Sequence, residues 1–351
     1  MKIALLGLQG AGKKTLFKLL TGTEVSAVPA KGLPGVFAVR DPRVDALSAL
    51  CHPQKTTYAR MDLLLLPDVE KSEGKAVWLD DARNLDGIVF VARAFTEPSV
   101  FHPAGSVDAR RDLDTFLSEL VFADLFLMER RKDKLGQEMR AKSTPEKLRE
   151  LAAVQKVIAG LEAGKTVRNM GLTEPEKAVL FNYQFLTDKA IAAVVNISQD
   201  SQDPALRASL EKEFGSRMTL SSFDVKLEAE IAAMADAQER EEFLAGMGIR
   251  EPAFAVLTRG IYEALGLMSY YTYGEDEVRA WTVHKGSTAP QAARAIHRDL
   301  EKGFIRAEHM KFEDLMELGS DAKVKEAGKF SLKGKDYIVE DGDILSFRAA
   351  N

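Results

Sequence analysis

Gly7-Leu8-Gln9-Gly10-Ala11-Gly12-Lys13-Lys14-Thr15 follows directly on the apolar run Ile3-Ala4-Leu5-Leu6. A short continuous apolar run reads as a buried parallel strand, and Thr15 to Leu20 opens a helix. Strand, glycine-rich loop and helix, in that order, is the setting in which backbone N–H groups and a helix N-terminus converge on phosphate oxygens. The stretch misses the P-loop pattern G-x-x-x-x-G-K-[ST] by one residue. Lys14 stands where a Ser or Thr hydroxyl would ligate the Mg²⁺ that bridges the terminal phosphates of a nucleotide. Gly7, Gly10, Gly12, Lys13, Lys14 and Thr15 are therefore the candidate phosphate-binding residues, with the phosphate cradle kept and the metal ligand lost.

Working outward, buried strands are expected at Asp62–Leu66, Gly87–Ala92 and Ala190–Asn196, with helical patterns between them, as in a doubly wound α/β sheet. From about Asp112 to Leu186 the texture changes. Leu113, Phe116, Leu117, Leu120, Leu127 and Met128 mark one helix face, and Leu148, Leu151, Ile158 and Leu161 another. Thr144-Pro145 between them is a helix start, so two long antiparallel helices are predicted, with a third from the capping box Thr173–Glu176. Strand-like sequence resumes at Ala190, which makes the helical piece an insertion in the α/β domain. Near Met268 a third texture begins. Val278–Val283 reads as a strand and Thr288 caps a helix, while Gly334–Val339 and Asp341–Phe347 read as short strands broken by Gly and Asp turns. The expected bounds are 1–111 and 187–267 for the nucleotide-binding domain, 112–186 for the insertion and 268–351 for a small α+β domain.

A chain of 351 residues has room for two or three domains. Its formal charge of −5 speaks against coating nucleic acid generally, although one basic face would not show in a total. The single cysteine, Cys51, excludes an internal disulfide framework and fits a reducing cytoplasm. The apolar start is too short for a signal peptide, and no other stretch approaches the length needed to cross a bilayer. A cytoplasmic location is expected.

Tyr270-Tyr-Thr-Tyr-Gly-Glu-Asp-Glu-Val-Arg-Ala-Trp281, Lys285-Gly-Ser-Thr-Ala-Pro-Gln-Ala-Ala293, Glu301-Lys-Gly-Phe-Ile-Arg-Ala-Glu308 and Gly334-Lys-Asp-Tyr-Ile-Val-Glu-Asp-Gly-Asp343 resemble the YchF/Obg-like ATPase family. The resemblance covers essentially the whole chain, densely from Glu242 to Phe347. Before that it is patchier, with Asp41-Pro42-Arg43 and Glu228-Ala-Glu-Ile231 as islands. It implies a P-loop domain with a helical hairpin insertion and a terminal TGS domain of β-grasp-like form. It also implies ATP or GTP binding and hydrolysis, and association with ribosomes.

Carried over residue by residue, the family's site is half present. Gly7, Gly12 and Lys13 match, while Gly10 replaces the usual Asn and Lys14 the Ser. The switch I threonine falls near Pro29, where no hydroxyl residue lies between Ser26 and Val44. The D-x-x-G element lands on Leu65-Leu66-Pro67-Asp68, or one register away with Asp62 in the Asp position and Leu65 in place of the Gly. It is broken either way. Asn196-Ile-Ser-Gln199 matches the base-reading N-x-x-E with Gln for Glu, and an amide that both donates and accepts suggests weak base selectivity.

These losses fall on the metal and γ-phosphate side, where phosphoryl transfer depends on positioning and charge. The expectation is binding of ATP, GTP or their diphosphates with impaired or absent hydrolysis, doubtful Mg²⁺ and no catalytic residue to name. A nucleotide-independent scaffold for RNA or ribosome and a slow ATPase are the alternatives. Lys14 either fills the vacated cation position or swings into solvent. Asp68 either repels a γ-phosphate or is a solvated loop residue. In the terminal domain Lys285, His297, Arg298, Lys302, Arg306 and Lys311, with Trp281 and Phe304 interleaved, read as an RNA or ribosome face, or else as a solvated basic surface around core aromatics. Arg130-Arg-Lys-Asp-Lys134 reads as a polar helix face, or as a contact arm at the hairpin tip. Neither a metal site nor sequence-specific DNA or membrane binding is expected, and the chain reads as a monomer.

Overall fold

The computed structural model describes residues 1–69, 77–199, 203–247, 249 and 251–350. In chain order the strands are β1 (Lys2–Gly7), β2 (Leu33–Val39), β3 (Lys55–Thr57), β4 (Ala59–Leu65), β5 (Gly87–Arg93), β6 (Ala190–Asn196), β7 (Thr219–Phe223), β8 (Leu267–Thr272), β9 (Glu277–His284), β10 (Phe304–Lys311), β11 (Ser331–Lys333) and β12 (Asp343–Ala349). The helices are α1 (Lys13–Thr21), α2 (Pro42–Cys51), α3 (Val77–Arg83), α4 (Ala109–Ala141), α5 (Pro145–Glu162), α6 (Glu174–Leu180), α7 (Pro204–Phe214), α8 (Val225–Ala232), α9 (Ala237–Gly246), α10 (Ala253–Ala264), α11 (Ala289–Ile296), α12 (Arg298–Lys302), α13 (Phe312–Leu318) and α14 (Asp321–Glu326).

Two compact units divide the chain: residues 1–35 with 62–253, and residues 36–61 with 254–351. The second unit therefore begins earlier than the expected 268, and it takes in 36–61 as well. β3 pairs in parallel with β9 in the register Lys55↔Glu277 to Thr57↔Arg279, and a pairing of such sequence separation is invisible to local pattern.

In the first unit the strands β1, β5, β6 and β7 follow one another in one sheet, with the Asp62–Leu65 part of β4 on the other side of β1. β1 pairs in parallel with β4 and β5, and β6 in parallel with β5 and β7. The central strands are buried on both faces, which is why β5 and β6 read as unbroken apolar runs. One core layer joins the sheet to α4, where Phe116 stacks on Phe90 at 4.2 Å between ring centroids. α4 then changes partner. Leu113, Phe116, Leu117 and Leu120 face the sheet core, whereas Met128 and Leu135 meet Val154, Val157 and Leu161 of α5. Asp124, fully buried at the changeover, accepts hydrogen bonds from Arg83, from the Leu186 and Thr187 N–H groups and from the Thr187 hydroxyl. This carboxylate fastens the end of the insertion to its first helix. α5 and α6 start at the Thr144 cap and the Thr173–Glu176 capping box.

The second unit is an α+β fold around a sheet ordered β11-β10-β12-β8-β9-β3. Tyr270, Val283, Phe304 and Leu345 lie in its core beneath α11. Gly334–Val339, expected as a strand, is a turn with a single bridge from Ile338 to Thr288. At the end of that turn Asp343 is fully buried and accepts from Lys311, from the Tyr337 hydroxyl and from the Glu340 N–H, and pairs with His309 at 3.0 Å. Burial pushes its pKa up, but the hydrogen bonds from His309, Lys311, Glu340 and Tyr337 win and hold it at about 2. Asp41-Pro42-Arg43 belongs to this unit too. Tyr271 donates to Asp41 at 2.5 Å, and Arg43 bridges Asp41 and Asp341.

Candidate functional site: the phosphate loop

β1 delivers the chain to Gly7, where a Cβ would stand 2.8 Å from the Val91 carbonyl oxygen of β5. The loop then turns through Gly10 and Gly12 in the left-handed region, at φ 75° and 99°. At Gly12 a side chain would also collide with the Asn196 amide, so only glycine suits the site. Gly12 is the N-cap of α1, whose first turn has neither a side-chain cap nor an acidic residue. The N–H groups of that turn are thus met by no side-chain cap.

Lys13 is nearly fully buried, with a side chain 4% exposed, and it is ion-paired with Asp68. Asp68 arrives from the segment following β4. The Leu5↔Leu65 register and the bonds from Leu66 N–H to the Leu5 carbonyl and from Val69 N–H to the Gly7 carbonyl lay that segment along the loop. The same register sets Asp62 opposite Lys2 at the far end of β1, so Leu65 to Asp68, not Asp62, lie at the level of the loop. Burial, and then the neighbouring charge of Lys14, push the Lys13 pKa down to about 8. Lys14 itself is exposed, and Thr15 is half-buried. An ammonium at position 14 and an aliphatic chain at position 65 offer no oxygen to a hard cation, whereas the Thr15 hydroxyl and the Asp68 carboxylate do.

At the other side of the loop Asn196 ends β6. Its amide donates to the Ala11 carbonyl at 2.9 Å and accepts from the Val225 N–H at 3.1 Å, tying the loop to the start of α8. Gln199 is exposed. Sequence reasoning missed Arg93, a fully buried guanidinium at the end of β5. It donates to the carbonyls of Phe95, Glu97 and Val100 and so shapes the loop that follows. Val100 and Phe101 from this loop press against Gly10. Immediately after it, buried His102 accepts from the Ala104 N–H through Nδ1, which leaves Nε2 to donate to Asp112 at 3.1 Å. A charged residue closing an otherwise apolar strand was the available signal for Arg93.

In the second unit Lys285, His297, Arg298, Lys302 and Arg306 are exposed. Lys311 is committed to Glu340 and Asp343, each at 2.6 Å, and is not a free cation. Phe304 lies in the core, and Trp281 lies under Arg279, 3.9 Å from its ring centroid, with Nε1–H on Thr272. The aromatics between the basic residues are therefore structural and not free stacking platforms. Arg130–Lys134 lie within α4, as expected of a polar helix face, and since α4 continues to Ala141 the run lies short of the hairpin tip that the contact-arm alternative required.

Residues 267–350 match the family model YchF-GTPase_C, described as a protein of unknown function (DUF933). Along its full length the chain is 38% identical to the ribosome-binding ATPase YchF of Haemophilus influenzae, covering 99% of this chain and 98% of the relative. The chain belongs to the YchF family. The Bacillus subtilis YchF is 35% identical over 98% of both chains, and Obg-like ATPase 1 of Oryza sativa subsp. japonica 33% over 99% of this chain and 92% of its own. The structure of the Schizosaccharomyces pombe YchF GTPase superposes with a TM-score of 0.84 at 28% identity, over 99% of this chain and 97% of that one. Within a YchF-family fold, Asp68 lies against Lys13 of the loop, and the Asn196 amide holds the Ala11 carbonyl.

Proposed function

We propose that this protein binds a nucleotide, preferring a diphosphate, through Gly7, Gly10, Gly12 and Lys13, and acts on the ribosome with impaired or absent hydrolysis. Relatives bearing the name ribosome-binding ATPase support the translation setting. The observation that carries the rest is the Lys13–Asp68 pair. A carboxylate already occupies the lysine that would meet the terminal phosphates, and its charge opposes a γ-phosphate most. Thr15 and Lys14 hold the start of α1, and Asn196 and Gln199 line the base end of this reading. The exposed basic residues of the second unit, Lys285, Arg298, Lys302 and Arg306, are the proposed ribosomal RNA contacts. A nucleotide-independent scaffold is the second reading, favoured by the same pair, since Lys13 has a partner without any ligand.

Calorimetric titration of the purified chain with ADP, ATP, GDP and GTP, each with Mg²⁺ and with EDTA, tests both. The expected result is ADP tighter than ATP, little effect of Mg²⁺ and no phosphate release. Tighter, Mg²⁺-dependent ATP binding contradicts the first reading, and no binding of any nucleotide selects the second.

A further inference from the structure

Arg93 closes β5 as a buried cation, and no carboxylate is paired with it among the described residues. Glu97, four residues on, accepts instead from the Ser99 N–H and hydroxyl. The guanidinium directs its donors to the Phe95, Val100 and Glu97 carbonyls at 3.0, 3.0 and 3.1 Å, and its Cζ lies 4.5 Å from the centroid of the Phe95 ring. Carbonyl dipoles and a ring face solvate a charge without cancelling it, so a permanent positive charge is held inside the first unit. Burying a charge without a counter-ion is costly, and its place in the fold shows what it serves. Nη1 is 3.5 Å from the point where a Gly10 Cβ would stand. Val100 Cγ1 and the Phe101 carbonyl oxygen are 2.7 and 3.0 Å from the same point.

We infer that Arg93 is a positioning residue for the phosphates of a bound nucleotide and acts on them through Gly10; the ligand, though not the geometry, rests on the nucleotide-binding reading above. Two effects combine. By drawing three carbonyls of one short loop onto itself, Arg93 holds Val100 and Phe101 against Gly10. That contact fixes the left-handed turn, at φ 75°, through which the phosphate loop runs toward α1. Arg93 also keeps a charge beside the loop that nothing neutralises. Lys13 is paired with Asp68, and Lys14 is exposed, where water and salt screen it. The buried guanidinium has no counter-ion and is screened far less, so its attraction for an anion beside Gly10 persists in the empty loop.

Two measurements on the full chain test this, amide hydrogen exchange without nucleotide and calorimetric titration with ADP. Arg93→Gln should speed exchange several-fold over residues 8–13 and 95–101 and leave α5 unchanged, which also shows that the fold persists. The milder Val100→Ala loosens the same wall and should speed exchange over 8–13 as well. With ADP, Arg93→Gln should weaken binding about tenfold, whereas Arg93→Lys, which keeps the charge, should stay within about threefold of wild type. Exchange over 8–13 that neither Arg93→Gln nor Val100→Ala alters overturns the inference, whatever nucleotide does. So does an ADP affinity that Arg93→Gln leaves intact or that Arg93→Lys does not restore, since a merely structural clasp would lose affinity in both variants. A wild-type chain that binds no ADP overturns the nucleotide reading alone, and the exchange comparison then decides the role of Arg93.

Discussion

Replacing Asp68 by Asn should tighten ADP binding about tenfold on the proposed reading. Before a phosphate oxygen can reach Lys13, the Lys13–Asp68 pair has to open. A contact pair of unit charges is worth ~4 kcal/mol at an effective dielectric of 20. Asp68 is 35% exposed and recovers hydration when it swings out, so solvent screening reduces the net competition to ~1–2 kcal/mol. Since 1.4 kcal/mol is tenfold, this is about 5- to 30-fold in Kd. ATP should gain more than ADP, because Asn also removes the charge facing a γ-phosphate, and the preference between the two should narrow. The assay is isothermal titration calorimetry of the full chain at pH 7.5 and fixed salt, with Lys13→Ala as the floor. An unchanged or weaker ADP affinity in a folded Asp68→Asn protein would refute the reasoning.

Asn196→Ala removes two buried hydrogen bonds and leaves the Ala11 carbonyl and Val225 N–H unpaired, so it should cost about 2–3 kcal/mol in urea unfolding without nucleotide. Full stability with lost nucleotide affinity would instead make Asn196 purely a ligand contact. Asp343 has its pKa lowered from 3.8 to about 2 in the folded chain, so its contribution is fully present above pH 4 and is lost as pH falls from 4 toward 2. That contribution is about 2 kcal/mol, and the stability gap between wild type and Asp343→Asn should shrink over this window. A gap that stays constant from pH 7 to pH 2.5 would show that the charge of Asp343 is not what stabilises the unit.

The phosphate loop, β5, β6 and the helical hairpin were legible because each is a local pattern: glycines between an apolar run and a helix, unbroken buried strands, and capped amphipathic faces. β7, Thr219-Leu-Ser-Ser-Phe223, has no apolar run to announce it, and β10 is polar at Arg306 and Glu308. The place of 36–61 in the second unit depends on the pairing of β3 with β9, across more than two hundred residues. At the site, counting from Asp41 placed Asp68 near the terminal phosphates, but the sequence did not indicate that its partner would be Lys13. Nor did it show that Phe304 and Trp281 serve the core and its edge, because an aromatic between basic residues looks the same whichever way its ring turns.

A lysine as buried as Lys13 needs an anion beside it, since an uncompensated charge in that setting would lose its proton or destabilise the fold. In a phosphate loop that depends on its ligand, the nucleotide supplies that anion, and the empty state is correspondingly unsettled. Here Asp68 supplies it from within the chain. On the proposed reading that carboxylate does two things at once: it stabilises the empty loop and competes with the phosphates for it.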